Sequence, residues 1–249
     1  MEGKKVKQTL LLIGLALLVS INQAYAKCND RRSPGMDWSG CKKTNKMLDK
    51  SNFTDSRFDG ANLSMSSLDD SNFTGASFAG ANLAMSTLEG SNFTDASLVK
   101  ADMIRASAAN SQFNNSDLTK TAGYRAKFDR VTVKNSKLTK SEFSRASFSN
   151  ATISDVDWSK AELGRVDFTA AQLTNVSFEY SNISRVNFAN AKLKNVDFWR
   201  AYTYRTHFED VDLRQVTRLS QLQLDIACGN ANTRLPEDRW MPDTWPCIE

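Results

Sequence analysis

The chain has 249 residues, 41% of them hydrophobic, and 32 Lys+Arg against 28 Asp+Glu give a formal charge of +4. That composition supports a packed interior and excludes wholesale disorder and a strongly polyanionic surface. Eleven Gly and four Pro exclude a collagen-like or Pro-rich chain, while one histidine and four cysteines remove most metal and catalytic constellations.

The N-terminus reads as a processing segment. Lys4, Lys5 and Lys7 precede an apolar run from Leu10 to Ile21, and Ala24-Tyr25-Ala26 follows. A basic start, a short apolar stretch and an A-x-A signal make residues 1–26 a cleaved secretory signal peptide. The run is shorter than the ~20 residues that span a bilayer. Lys27, immediately before Cys28, leaves no lipobox. The mature chain is expected to begin at Lys27, to carry a net charge of +2 and no transmembrane anchor, and to be periplasmic or secreted.

A five-residue repeat follows. Positions ending in 3 or 8 carry large apolar residues with few exceptions, from Phe53, Phe58 and Leu63 to Phe208 and Leu213. Two residues earlier stand small ones such as Ala61, Ala81, Val156 and Val176. From Ser51 to Gln215 the register runs without an insertion. Trp38 and Leu48 extend it upstream, and Lys43 breaks it. A period of five fits neither a helix nor strand alternation. It suits a chain that turns a corner every pentad, with one large and one small residue inside. Four sides close a coil of twenty residues, and Ser-Asn-Phe-Thr recurs at Ser51, Ser71 and Ser91. Each coil then hydrogen-bonds its neighbours and stacks its large residues on theirs. Asn, Asp and Gly are common at positions ending in 0 or 5, where turns need φ > 0.

Pentads such as Ala61-Asn62-Leu63, Ala81-Asn82-Leu83 and Ala101-Asp102-Met103 resemble the A-(D/N)-L-x-x unit of the pentapeptide-repeat proteins. The resemblance implies an all-β, right-handed quadrilateral β-helix. About eight to nine coils at ~4.8 Å each make a rod of roughly 40 Å. The organisation expected is a disulfide cap with degenerate pentads over 27–50, repeats over 51–218, and a C-terminal cap over 219–249. That cap has a short helix near Leu219–Ala227 and an extended tail. Ala108, Gly123 and Thr203 depart from the central pattern. Either a neighbouring tyrosine or a backbone shift fills the space, or a side pocket opens beside Gly123.

A rod separates the terminal cysteine pairs far beyond the ~7 Å that a disulfide allows between Cα atoms. This leaves Cys28–Cys41 and Cys228–Cys247 as the pairs, stable in an oxidising compartment. Neither pair has the histidine neighbours that zinc or a nucleophilic mechanism would use. His207 is the only imidazole, so no Ser–His–Asp arrangement can be drawn, and acidic pairs such as Asp155 and Asp157 read as solvated surface. The expectation is no enzyme, no cofactor and no metal site.

In a twenty-residue coil, residues twenty apart stack. Arg105, Arg125, Arg145, Arg165, Arg185 and Arg205 form one column. Lys100, Lys120, Lys140, Lys160 and Arg200 form the next, interrupted by Tyr180. Asp102, Glu142 and Glu162 lie between them and Glu179 at the rim, leaving +7 on the strip. Like charges ~5 Å apart repel by roughly 3 kcal/mol at an effective dielectric near 20. The strip is either a solvated face left by coil duplication or a docking surface. Tyr180, Trp199, Tyr202 and Tyr204 beside Arg185, Arg200 and Arg205 suit stacking on rings, sugars or phosphate groups, unless the tail with Trp240 and Trp245 covers them.

These features describe an exported, non-enzymatic scaffold that binds an envelope protein. The alternative is a binder of a polyanion such as a phosphorylated glycolipid or nucleic acid. An end-to-end dimer is compatible with a rod but not indicated. The best-known activity implied by the resemblance is mimicry of duplex DNA by strongly acidic rods that bind type II topoisomerases. It does not suit this charge or an exported chain. Some relatives are effectors delivered to host cells, which a secretory signal alone does not establish.

Overall fold

Every fifth residue from Gly35 to Asp210 has a positive φ, between 52° and 69°. Many of them are the third residue of a four-residue turn closed by a backbone hydrogen bond, as where Ala61 N–H donates to Phe58 O at 2.9 Å around Gly60, whereas at Ser51 and Ser116 the N–H donates instead to a serine hydroxyl of the next coil. The bonded turns have the form of type II turns, which demand the left-handed region at that place. The computed structural model describes residues 28–247. The expected signal peptide and the start at Lys27 lie outside the described residues.

Between turns the chain is extended and pairs in parallel with the chain twenty residues on. Five short strands mark one side of the coil: β1 (Gln112–Asn114), β2 (Thr132–Lys134), β3 (Thr152–Asp157), β4 (Gln172–Ser177) and β5 (Lys192–Lys194). They are ordered β1-β2-β3-β4-β5, with Phe113, Val133, Ile153, Leu173 and Leu193 in register. Single pairings at the same spacing extend the ladder from Asp37↔Arg57 to Asp197↔Thr217. The result is a parallel β-solenoid.

The A-(D/N)-L unit has a physical reading in this geometry. The small residue points inward where the wall is close, and the large one fills the centre. The Asn or Asp before it points outward, and its side chain accepts a hydrogen bond from the N–H two residues on. Thr74 N–H donates to Asn72 at 3.1 Å, Ile104 N–H to Asp102 at 2.9 Å and Thr169 N–H to Asp167 at 2.9 Å. Buried serines are satisfied either between coils, where Ser91 Oγ donates to Leu68 O at 2.8 Å and accepts from Ser71 N–H at 3.0 Å, or within one turn, where Ser86 Oγ donates to Leu83 O at 2.6 Å. A hydroxyl is therefore as acceptable inside as a methyl group.

Aromatic rings stack along the axis. Phe53, Phe73, Phe93 and Phe113 are 4.8 to 5.3 Å apart between centroids. The stack then moves to a neighbouring column, where Phe128, Phe148, Phe168, Phe188 and Phe208 follow at 4.9 to 5.6 Å. Phe113 and Phe128 meet at the change, tilted by 56°. Ala108 and Gly123 stand beside it and need no pocket. A Cβ on Gly123 would lie 2.2 Å from the Phe143 ring, so that phenylalanine, and not Tyr124, occupies the space. Tyr124 is exposed.

Both ends are closed. The structure joins Cys28 to Cys41 with Cα atoms 5.5 Å apart, and Lys43 lies 3.9 Å over the Trp38 ring while donating to Cys28 O. Burial pushes the Lys43 ammonium below the ordinary lysine value, with Lys46 adding repulsion. Lys43 thus replaces an apolar centre in the first described coil, where the Cys28 segment packs against it. At the other end, helix α1 (Gln221–Asp225) starts with a capping box between Ser220 and Gln223. Gln223 Nε2 donates to Phe198 O at 2.7 Å and Ala201 O at 2.9 Å, and Thr203 Oγ1 donates to Gln223 O at 2.8 Å. Thr203 departs from the apolar pattern because it anchors this cap. The tail supplies the last rungs, pairing Cys228 with His207 and Arg234 with Asp212, and is tied back by Cys228–Cys247. Among the described residues no helix is long and apolar enough to cross a membrane.

Gly123→Ala should destabilise the rod by about 1–3 kcal/mol, the usual cost of overpacking a filled core. Denaturant titration checks this, and an unchanged midpoint would mean that Phe143 does not fill the site. The Arg214 guanidinium, bonded at 2.9 Å, is the main cause holding the Asp212 carboxyl at about 2, below its ordinary 3.8. A depressed carboxylate stabilises the fold above its unfolded pKa and loses that contribution as the pH falls through the folded one. With Asp212 half exposed, the effect should stay below about 1 kcal/mol. Melting curves of wild type and Asp212→Asn should therefore differ at neutral pH and converge as the pH falls from 3.8 towards 2.

Candidate functional site

The basic columns sit on two adjacent corners of the coil. Lys100, Lys120, Lys140, Lys160 and Arg200 occupy one, and Arg105, Arg125, Arg145, Arg165, Arg185 and Arg205 the other, all with φ between 53° and 63°. An L-residue in this region costs roughly 1–2 kcal/mol, which Gly avoids and Asn or Asp reduces. The diagonally opposite corner shows the cheaper choice. There Asn135 Nδ2 donates to Asn115 at 3.3 Å, Asn175 to Asp155 at 2.8 Å and Asn195 to Asn175 at 3.1 Å, an amide ladder that ties coil to coil. One corner is stitched, and its opposite carries stacked like charges in a strained conformation.

Between the two basic ridges runs a floor of outward side chains in register: Asp102, Ala122, Glu142, Glu162, Asn182 and Tyr202. Among the described residues, no ion pair joins Lys100, Lys120, Lys140, Lys160, Arg105, Arg125, Arg145, Arg165 or Arg185 to an acid. Glu162 instead accepts from Asn182 Nδ2 at 2.9 Å. Glu179 stands beyond the Lys column and pairs with Arg218 at 3.5 Å, which also pairs with Asp197, so it does not offset the strip.

Aromatic rings cluster at the C-terminal end of the trough. Arg200 lies 5.5 Å from Tyr180 and 5.3 Å from Trp199, and its Nη1 donates to Tyr180 Oη at 3.2 Å. Arg185 lies 5.7 Å from Tyr204, which stacks on Tyr202 at 6.2 Å with an interplanar angle of 11°. Tyr180, Trp199, Tyr202 and Tyr204 remain between 37% and 53% exposed. The tail does not cover them. Trp245 packs on Gly229 and donates to Ala227 O at 2.7 Å, while Trp240 is tied to α1 through Gln221 and exposed. Two more residues lie beside the basic columns, Tyr124 four coils before this cluster and Arg218 within it. Tyr124, 5.3 Å from Arg125, was signalled by its place beside Arg125, whereas Arg218, 5.2 Å from Trp199, lies off the columns and gave no periodic signal.

The other titratable groups singled out from the sequence have structural partners. His207 Nδ1 is 3.0 Å from Glu209, Asp155 accepts from Asn175, and Asp157 accepts from Ser159 N–H at 2.8 Å. Among the described residues, no group of three or more His, Cys, Asp or Glu is placed to hold a metal ion.

The family pattern described as Pentapeptide repeat region matches residues 106–188 and 151–225, and that described as Pentapeptide repeats (8 copies) matches 51–90 and 86–122. No curated protein matches the chain. Among solved structures, HetL, a protein involved in heterocyst differentiation regulation from the cyanobacterium Nostoc sp. strain PCC 7120, is similar with a TM-score of 0.56 at 18% identity. That match covers 86% of this chain and 92% of HetL. A trypsin-treated variant of QnrB1, a plasmid-mediated fluoroquinolone resistance protein, gives a TM-score of 0.50 at 18% identity, over 79% of this chain and 90% of its own. At that identity the likeness is one of fold. With the repeat matched from residue 51 to 225 and its four-cornered coil present in the backbone, the chain belongs to the pentapeptide-repeat family.

Proposed function

We propose that this protein is an exported, non-enzymatic scaffold of the cell envelope that holds an anionic partner along its Lys/Arg trough. The observation that carries the reading is the arginine column. From Arg105 to Arg185, stacked charges that form no ion pair with an acid, on corners where Asn would relieve both strain and repulsion, are expensive to keep as mere surface. Export is supported by the basic, apolar and A-x-A segments of residues 1–26 and by two disulfides, which persist in oxidising compartments. A periplasmic or secreted location follows. The partner is an envelope protein with an acidic face, or a polyanion such as a phosphorylated glycolipid or nucleic acid, favoured by the exposed rings beside Arg185 and Arg200.

Cell fractionation with N-terminal sequencing should find the protein outside the cytosol and starting at Lys27; cytosolic protein retaining Met1 would defeat the export reading. The trough is tested by replacing Arg145, Arg165 and Arg185 with Asn, the residue of the opposite corner. The triple variant should melt a few degrees higher, because strain and repulsion are both relieved. On a polyanionic resin it should elute at lower salt, with the slope of log affinity against log salt reduced by up to about 3. A lower melting temperature would show that the arginines hold the coils together; unchanged elution would leave the trough without a binding role.

A further inference from the structure

We infer that the ligand of the trough is an extended acidic polysaccharide of the uronate type, one carboxylate per sugar, lying parallel to the rod axis. This rests on the binding reading of the trough given above and specifies its ligand. Three features of the surface select this chemistry.

Spacing is the first. The cations recur once per coil, at the ~4.8 Å separation of hydrogen-bonded strands. One pyranose in an extended 1→4-linked chain advances by about the same distance, and a twofold ribbon turns successive carboxylates to opposite sides, so alternate sugars meet the Arg ridge and the Lys ridge without either partner deforming. A strand of duplex DNA presents a phosphate every ~3.4 Å of axis and winds away from a straight ridge.

The floor is the second. A strip built for charge alone would exclude acids, yet Asp102, Glu142 and Glu162 stand between the cationic ridges, and Glu142 and Glu162 are exposed. Carboxylates only accept hydrogen bonds. They oppose a polymer whose backbone offers nothing but anionic oxygens. They suit one that carries hydroxyl donors between its charges, which sugar acids do. Guanidinium groups on the Arg ridge take the sugar carboxylates that face them in paired hydrogen bonds, and the floor takes the hydroxyls.

Rings are the third. Tyr202 ends the floor and stacks on Tyr204, with Trp199 and Tyr180 on the adjacent corner held by Arg200. Such exposed flat faces pack against the C–H face of a pyranose, which places the end of the polysaccharide at the C-terminal end of the trough.

The experiment uses the disulfide-bonded protein with oligogalacturonates of increasing length, measured by calorimetry. Their methyl esters, a single-stranded oligonucleotide of matched charge and phosphatidylglycerol vesicles serve as comparators. Affinity for the uronate should rise about two- to fivefold per added sugar, the contribution of one exposed ion pair. It should level off near the length that spans Arg105 to Arg205. The esters should bind at least tenfold more weakly. Replacing Glu142 and Glu162 by Ala gives opposite signs: uronate affinity should fall as hydroxyl acceptors are lost, whereas oligonucleotide affinity should rise. If the double variant instead gains affinity for both, the trough reads charge alone and the polysaccharide assignment fails. Tight binding of the oligonucleotide or the vesicles in place of the uronate would overturn the assignment while leaving the anionic trough standing. If no polyanion responds to loss of the arginine column, both fall.

Discussion

The left-handed residue at every fifth position is the constraint on which the rod depends. It turns the chain through a corner, so that four pentads return it above its starting point and the backbone between corners pairs in a ladder with the coils above and below. The core follows from that closure: two residues in five point inward, and the distance to the axis decides which is large. So does the surface, because each outward position becomes a straight column. A substitution at one corner is thus never local, since its neighbours above and below are the equivalent residues of adjacent coils.

Columns make opposite chemistries possible on one scaffold. Amide side chains in a column bond to each other, as at Asn115, Asn135, Asn175 and Asn195. Cations in a column repel, and the backbone beneath them is strained for residues other than Gly, Asn and Asp. The protein places the first on one corner and the second on its diagonal opposite. Cohesion is concentrated where nothing is offered to solvent partners, and the exposed charge stands where coil-to-coil bonding has been given up.

Much of this was legible in the sequence because a repeat writes its geometry many times. The period fixed the corners, the Ala and Ser positions fixed the inner wall, and the twenty-residue recurrence fixed the columns. What escaped were residues whose roles depend on contacts outside the repeat. The space beside Gly123 is filled by Phe143 from the next coil, not by the adjacent Tyr124, because inward bulk is shared along the axis and not along the chain. Thr203 reads as a defect until Gln223 is seen to need an anchor there. Glu179 was assigned to the strip by column arithmetic, yet Arg218, which belongs to no column, draws it to the other side.

The passage of the aromatic stack from the column of Phe113 to that of Phe128 also bears on how the chain finds its alignment. Identical coils would pair equally well one turn out of step, since the backbone ladder is indifferent to which coil it joins. The change of column removes that degeneracy. Displaced by twenty residues, the rings around Ala108 and Gly123 would either crowd one another or leave a void the size of a phenyl group. The least regular stretch of the core therefore acts as an index mark, giving a translationally repetitive molecule a single way to be wound.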